Sequence, residues 1–315
     1  MKAGILGAGS VGLGVAASLV KTGARVTLLT RGKSLDALKA DGLRVGGVLG
    51  THDIPPREFA VEDAAASFTP LDLLIVTTKT YEVAPALKAM APAFREKTPA
   101  LLLLQNGWGS AEEARAAMPA GTPVFSGSVM SGLERISPSE VRILAHVDAV
   151  KAGSLFGDDI GRLAAFIDIS KKGFIPFAPE PAIEPVMLAK LLYNICLNPL
   201  GALLGSTYGE LLRSEAALGL MYRIAEEGVR VLKEVRGFSR FASGEAYVRE
   251  VLVEKFLPKI AAHRSSMLQD IENGRRTEIG YLNGAIAAIG RSAGVATPCN
   301  ETIISLIRTA EEKQI

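Results

Sequence analysis

Cysteine and histidine are scarce in this chain: Cys196 and Cys299, with His52, His146 and His263, are all that 315 residues contain. The two cysteines lie far apart with no CxxC spacing, which excludes a disulfide framework and fits a reducing cytoplasm. The histidines stand singly, with no cysteine or carboxylate companions at metal-ligand spacing, so no metal is expected. An excess of charge is missing too. Lys+Arg total 35 against 33 Asp+Glu, a net charge of +2, too weak a field to hold nucleic acid or an anionic membrane. Hydrophobic residues at 48% and charged residues at 22% are those of a folded chain, not a disordered one. There is no internal repeat, low-complexity segment or long charge run.

From Ala3 to Val20 the chain carries no charge, a texture that superficially resembles a signal peptide. Gly4, Gly7, Gly9, Gly12 and Gly14 argue otherwise, since each costs about 1 kcal/mol in a helix interior relative to alanine. The apolar runs beside them are too short to span a bilayer. A soluble, cytoplasmic protein is expected.

The length corresponds to about two domains. In the first half, short apolar runs alternate with helical patterns, the habit of a parallel sheet covered on both faces. Strands are expected at Lys2 to Leu6, Arg25 to Leu29, Leu71 to Thr77, Ala100 to Leu104 and Val124 to Gly127, with helices at Val11 to Lys21, Val83 to Ala93 and Ser110 to Met118. Val141 to Phe156 reads as a hairpin-like extension. Pro176, Pro179, Pro181 and Pro185 then cluster as a linker or a helix start. Beyond them Val186 to Leu204, Glu210 to Val235, Gly244 to Ser266, Glu278 to Ala293 and Asn300 to Glu312 all read as helices. The expected fold is α/β: a Rossmann-type, mostly parallel sheet domain over 1–180 that binds a dinucleotide, followed by an all-helical substrate-binding domain over 181–315.

Directly after the first strand comes Gly7-Ala8-Gly9-Ser10-Val11-Gly12, a GxGxxG that opens a helix and is followed by a second strand. The first glycine permits the tight turn, the second lets backbone approach a pyrophosphate, and the third lets helix and strand pack closely. The helix N-terminus adds unpaired N–H groups and a positive dipole end. Where the second strand ends, an NAD enzyme carries an acid for the ribose 2′-hydroxyl; this chain carries Arg31. A guanidinium suits a 2′-phosphate, which points to NADP(H), with Lys33 able to extend the patch; the alternative is a solvated loop cation. Lys79, after the third strand, either reaches the cofactor or caps a loop. Asn106, after Leu101 to Leu104, either presents a donor and an acceptor at the strand end or forms an Asn-Gly turn.

In the helical half Lys190, Asn194 and Asn198 fall at i, i+4 and i+8, one face of a helix whose other residues are largely apolar. Buried ammonium and amide groups need partners, so the stripe is a candidate site. Leu211, Leu212, Leu218, Leu220 and Met221 form an apolar group that serves either a homodimer or the core.

Taken in order, the GxGxxG with Arg31, Gln105-Asn106-Gly107, Lys190-Leu191-Leu192-Tyr193-Asn194 with Asn198-Pro199-Leu200, Ser265-Ser266-Met267-Leu268-Gln269-Asp270, and Thr277-Glu278-Ile279 with Tyr281-Leu282-Asn283-Gly284 resemble the ketopantoate reductase (2-dehydropantoate 2-reductase) family over nearly the whole chain. The resemblance implies hydride transfer from NADPH to the C2 carbonyl of a 2-oxo acid, a step of pantothenate biosynthesis. Lys190 is implied as general acid, stabilising the developing alkoxide and donating its proton, with a pKa depressed by apolar surroundings. It also implies Asn106 between nicotinamide and substrate, Asn194 and Asn198 on the substrate's polar groups, Ser266 on the carboxylate, and Glu278 beside the nicotinamide ribose, with Thr277 as a helix N-cap. Asp270, one helical turn from Ser266, reads as a structural orienting residue. The chain departs from the family pattern at His263 and Tyr208, where members carry asparagines, at Leu188 in place of a Trp, and at Gly280 in place of an acid. These positions touch the pocket for the substrate's distal hydroxyl, so another 2-oxo acid, or a 3-hydroxyacid or polyol-phosphate, is the alternative substrate. A non-catalytic NADP(H) sensor is the alternative of a different class.

Overall fold

The computed structural model describes residues 1–63, 71–94 and 97–313, and the chain divides into two compact units: 1–105 with 110–184, and 106–109 with 185–315. The first unit holds strands β1 Lys2–Leu6, β2 Arg25–Thr30, β3 Leu43–Gly47, β4 His52–Ile54, β5 Ala60–Asp63, β6 Leu73–Val76, β7 Ala100–Leu103, β8 Val124–Ser128, β9 Ser131–Ser137, β10 Glu140–His146, β11 Val150–Gly153 and β12 Phe177–Pro179. Its helices are α1 Ser10–Val20, α2 Lys33–Asp41, α3 Val83–Met90, α4 Ser110–Ala117 and α5 Ala164–Ser170. Eight strands form a sheet in the order β12-β11-β8-β7-β6-β1-β2-β5, and four form a second in the order β4-β3-β10-β9. In the large sheet, among the described residues, only the β8–β11 pairing is antiparallel.

Successive strand residues serve opposite faces, and both faces are covered. Ile5, Leu28, Ile75 and Leu102 join one core with α1 and α5, whereas Leu6, Leu29, Val76 and Leu103 join another with α3 and α4. This two-sided burial makes each central strand a continuous apolar run. Helix α1 lies against β1 and β2 on one side and against β3, β9 and β10 on the other, and Gly12 to Val20 are all buried. A helix enclosed between two sheets needs no polar face, which, with the buried strand β1 before it, explains the uncharged run from Ala3 to Val20. β2 and β6 flank β1, so the chain reverses direction across the sheet there, the place where open α/β sheets form a crevice beyond the strands' carboxyl ends.

The expected strands and helices of this half are present. The hairpin is β9–β10, spanning Ser131 to His146, while β11 returns to the large sheet, which corrects the reading of Val141 to Phe156. The proline cluster includes β12, an edge strand, where a missing N–H is tolerated.

The second unit takes in α6 Ile183–Leu204 from Pro185 onward, then α7 Tyr208–Arg213, α8 Glu215–Arg236, α9 Gly244–Tyr247, α10 Leu257–Ile260, α11 Ser266–Glu272, α12 Asn283–Ser292 and α13 Pro298–Glu312. A π-helical stretch, Val248–Phe256, joins α9 to α10, and a 3-10 turn, Ile279–Tyr281, precedes α12. Its described residues include no strand. Two expected helices are interrupted. Ser214 is extended and its hydroxyl accepts from Ala217 N, ending α7 and capping α8. Gly244 to Ser266 is broken after Ile260, and Ser265 caps α11 anew. α6 is long and apolar enough to cross a membrane, but its most apolar window is mostly buried within the fold. Leu211, Leu212 and Met221 are interior, which removes them from the apolar surface read as a homodimer face.

Candidate active site

In the sheet-bearing unit the three motif glycines are required for three different reasons. Gly7 has φ of +108°, which the turn after β1 requires, and its N–H donates to Leu29 O on β2 at 2.9 Å. A Cβ on Gly12 would collide with the Gly7 carbonyl. Gly9 is neither strained nor crowded, since a Cβ there would meet only Thr77 O at 3.8 Å. Its bareness leaves the backbone approachable where α1 begins, and α1 has no side-chain cap and no acid in its first turn. Ala8, Ser10 and Val11 complete this loop. Unpaired N–H groups at an uncapped N-terminus are the donors a diphosphate needs, so the turn fits a dinucleotide.

Thr77, at the end of the third expected strand, fastens the turn to the neighbouring strand: its hydroxyl lies 2.8 Å from Gly7 O and 3.1 Å from Leu6 O. Gln105 Nε2 donates to Val76 O and Thr78 O, at 2.9 and 3.1 Å, tying the end of β7 to β6. A threonine and a glutamine directly after apolar strands were the available signals. Lys79 follows at the start of a 3-10 turn, partly buried. Arg31 stands just past β2 with its side chain 81% exposed, its guanidinium 3.9 Å from Glu82 Oε1. Lys33 opens α2 close by in sequence and is exposed.

In the helical unit, burial lowers the Lys190 pKa to about 8, and the nearby Glu278 carboxylate pulls it back upward. One turn along α6, Asn194 is buried, and one turn further Asn198 is too. Asn198 Nδ2 donates to Asn194 Oδ1 at 3.5 Å, and Tyr208 Oη donates to Asn198 Oδ1 at 2.8 Å. Burial raises the phenol pKa of both Tyr193 and Tyr208, so each stays a protonated donor. Burial lowers that of His263, whose ring packs 5.1 Å from the Tyr208 ring.

Ser265 Oγ donates to Asn198 O at 3.1 Å and accepts from Leu268 N at 3.0 Å, so the capping serine itself joins α11 to α6. Ser266, the residue singled out from sequence, is the first of α11 and partly exposed. Asp270 is buried and accepts from Arg275 Nε at 3.2 Å, a structural pairing.

Asn106 begins a four-residue loop that groups with this unit. Gly107 has φ of +92° with the Tyr281 carbonyl where its Cβ would be, and Trp108 N donates to Tyr281 O at 2.9 Å. The loop is thereby held to the turn that Glu278 opens. Glu278 is buried and precedes a 3-10 turn, not an α-helix; Thr277 Oγ1 accepts from Ile279 N at 3.2 Å. Gly280 has open space where a side chain would stand. Lys190 with Glu278, and Asn194 with Asn198, are thus brought together, while the glycine turn, Arg31 and Lys79 belong to the other unit. The Gly107–Tyr281 contact was not visible in the sequence.

A family model described as ketopantoate reductase PanE/ApbA matches residues 3–155, and one described as ketopantoate reductase PanE/ApbA C terminal matches 182–311. The chain is similar to a 2-dehydropantoate 2-reductase of Aquifex aeolicus, 32% identical over 99% of this chain and 97% of that protein. It is similar in structure to a PanE/ApbA family ketopantoate reductase of Ralstonia eutropha, with TM-score 0.85 and 26% identity over 100% of this chain and 99% of that one. It shares its fold with a D-mandelate dehydrogenase solved with NADH and anilino(oxo)acetate, TM-score 0.88 at 23% identity over 100% and 99% of the two chains.

Proposed function

The chain belongs to the ketopantoate reductase family and is a nicotinamide-dependent oxidoreductase, and on that premise we propose that it reduces 2-dehydropantoate to pantoate with NADPH, in pantothenate biosynthesis. Lys190 carries this reading: an amine whose pKa is brought down to about 8 beside a buried carboxylate, on the helix face that also holds Asn194 and Asn198.

The residues that would hold NADP(H) are Gly7 to Gly12 for the diphosphate, Arg31 for the 2′-phosphate, and Lys79, Asn106 and Glu278 for the remainder. When bound, the cofactor supplies the hydride that reaches C2 of the oxo acid. The work left to the protein is to manage the charge on the C2 oxygen. The Lys190 ammonium stabilises that oxygen as it becomes an alkoxide and gives it a proton from Nζ. With a pKa near 8 the amine is charged at neutral pH yet parts with its proton more readily than an ordinary lysine. Glu278 keeps enough of the amine protonated. Asn194, Asn198 and Ser266 receive the substrate's polar groups, and Asn106 serves substrate and cofactor together.

The test is a panel of 2-oxo acids offered with NADPH and with NADH, followed by the absorbance of the reduced nicotinamide. Ketopantoate with NADPH should give the highest kcat/KM. Nucleotide binding without turnover of any acid would contradict the proposal.

A further inference from the structure

Asn198 is engaged at both ends of its amide, its Oδ1 accepting from Tyr208 and one Nδ2 hydrogen going to Asn194, which leaves its second Nδ2 hydrogen for substrate. Asn194 is only 3% exposed, and its Nδ2 is buried without an acceptor among the described residues. Buried donors almost always have partners, so one left open a single helical turn from Lys190 marks a place where a ligand oxygen completes the bonding. What fixes the direction of both amides is Tyr208. Its ring is clamped, with Tyr193 edge-on at 6.0 Å and His263 at 5.1 Å, and its backbone N–H donates to His263 O at 3.0 Å. Phe256, at the end of the π-helical stretch, backs Tyr193 at 5.5 Å. The Tyr208 hydroxyl also meets the Tyr193 hydroxyl in a hydrogen bond, and it donates to Asn198 Oδ1 at 2.8 Å.

We propose that Tyr208 is a positioning residue whose hydroxyl orients Asn198, and through it Asn194, so that the Asn194 Nδ2–H is held as a donor for an oxygen of the 2-oxo acid. This rests on the reading of the α6 face as the substrate site. Without the hydroxyl, Asn198 is free to turn its amide and Asn194 loses the partner that keeps its Nδ2 outward. The ring alone, kept in a phenylalanine, should preserve the packing.

The experiment compares wild type, Y208F, N194A and the double variant in the intact chain, measuring KM and kcat for ketopantoate at saturating NADPH. Calorimetric titration of ketopantoate into the NADP⁺-loaded protein is measured in parallel. Y208F should weaken ketopantoate binding and raise KM by about fivefold to tenfold, the size of one neutral hydrogen bond, with kcat changed less than about twofold. N194A should do the same, and the double variant should be no worse than N194A, because the two act through one bond. A fold merely weakened by Y208F would lower kcat through the inactive fraction and leave KM alone. That result, an unchanged KM, or effects that multiply in the double variant would overturn the proposal. Weakened calorimetric binding in Y208F without turnover by any of the four proteins would sink the reductase reading and spare this one. Wild-type turnover with unchanged Y208F binding would sink this one alone.

Discussion

Asn283 Nδ2 donates to the Ile195 carbonyl at 3.1 Å, and that carbonyl is the one Pro199 leaves without its helical donor. Proline inside a helix strands the carbonyl four residues earlier and tends to bend the helix there. In α6 this falls between Asn194 and Asn198, where the candidate site is least tolerant of bending. Asn283 fills the gap from α12 and is itself held by Asn300 Oδ1 at 3.0 Å, while Asn300 Nδ2 reaches Glu227 Oε2 at 2.8 Å. A buried polar chain from α12, α13 and α8 therefore braces the helix that bears Lys190.

Removing that brace should be costly. Asn283→Ala strands the Ile195 carbonyl and the Asn300 amide oxygen in a dry interior, and the expected loss is about 2–4 kcal/mol. It is read as a lower urea midpoint with an unchanged slope. A midpoint equal to wild type would mean that Pro199 needs no compensation.

The two unlike glycines of the turn separate folding from binding. Gly12→Ala forces a methyl into the Gly7 carbonyl and should destabilise the unit by about 2 kcal/mol or more. Gly9→Ala meets nothing closer than 3.8 Å and should melt like wild type. It should nonetheless lose most of the thermal stabilisation that saturating NADPH gives, about 2.7 kcal/mol at a hundredfold excess over Kd. Full NADPH stabilisation of Gly9→Ala would detach the turn from the diphosphate.

Arg31 and Glu82 should act in opposite senses on cofactor choice. Arg31→Asp should raise the KM for NADPH by at least about tenfold, the loss of a charge-assisted contact, and leave that for NADH nearly unchanged. Glu82→Gln removes the carboxylate 3.9 Å from the guanidinium and should lower the NADPH KM by about twofold, because an exposed ion pair holds Arg31 only weakly. Equal effects on the two cofactors would refute the 2′-phosphate assignment.

The pH profile follows from the Lys190 pKa of about 8. Reduction needs the ammonium, so kcat/KM should fall about tenfold per unit above that pH, while oxidation of the hydroxy acid, which needs the free amine, should rise through the same range. The unfolded lysine keeps its proton up to its ordinary pKa of 10.5, so between about 8 and 10.5 the unfolded state binds more protons, and this group makes folding more favourable as pH rises. Glu278→Gln removes the influence that raises the Lys190 pKa and should move the alkaline limb of reduction to lower pH. An unmoved limb would separate the two residues.

The sheet was legible because its central strands are covered on both faces, so that β6 and β7 are written as unbroken apolar runs and β1, β2 and β8 as short, largely uncharged ones. α2 was not, being polar and set between Gly32 and Gly42, both at positive φ, which read as loop. The four-stranded sheet was hidden because β4 has three residues and β3 ends on Gly46-Gly47. The Lys190, Asn194 and Asn198 face was visible because helical spacing is local. The bracing by Asn283 and the seating of Gly107 against Tyr281 were not, since they join residues 88 and about 174 positions apart in sequence, beyond the reach of any local pattern. Leu211, Leu212 and Met221 left two readings open because an apolar cluster looks the same in sequence whether a core or a partner covers it.

The measurement closest to the central claim is kcat/KM for ketopantoate reduction by Lys190→Ala, taken alongside its Kd for NADPH. Loss of the proton donor and of the charge that stabilises the alkoxide should cost about 2–5 kcal/mol of transition-state stabilisation, roughly thirtyfold to several thousandfold, with NADPH bound as tightly as by wild type. Full turnover by Lys190→Ala would contradict the account.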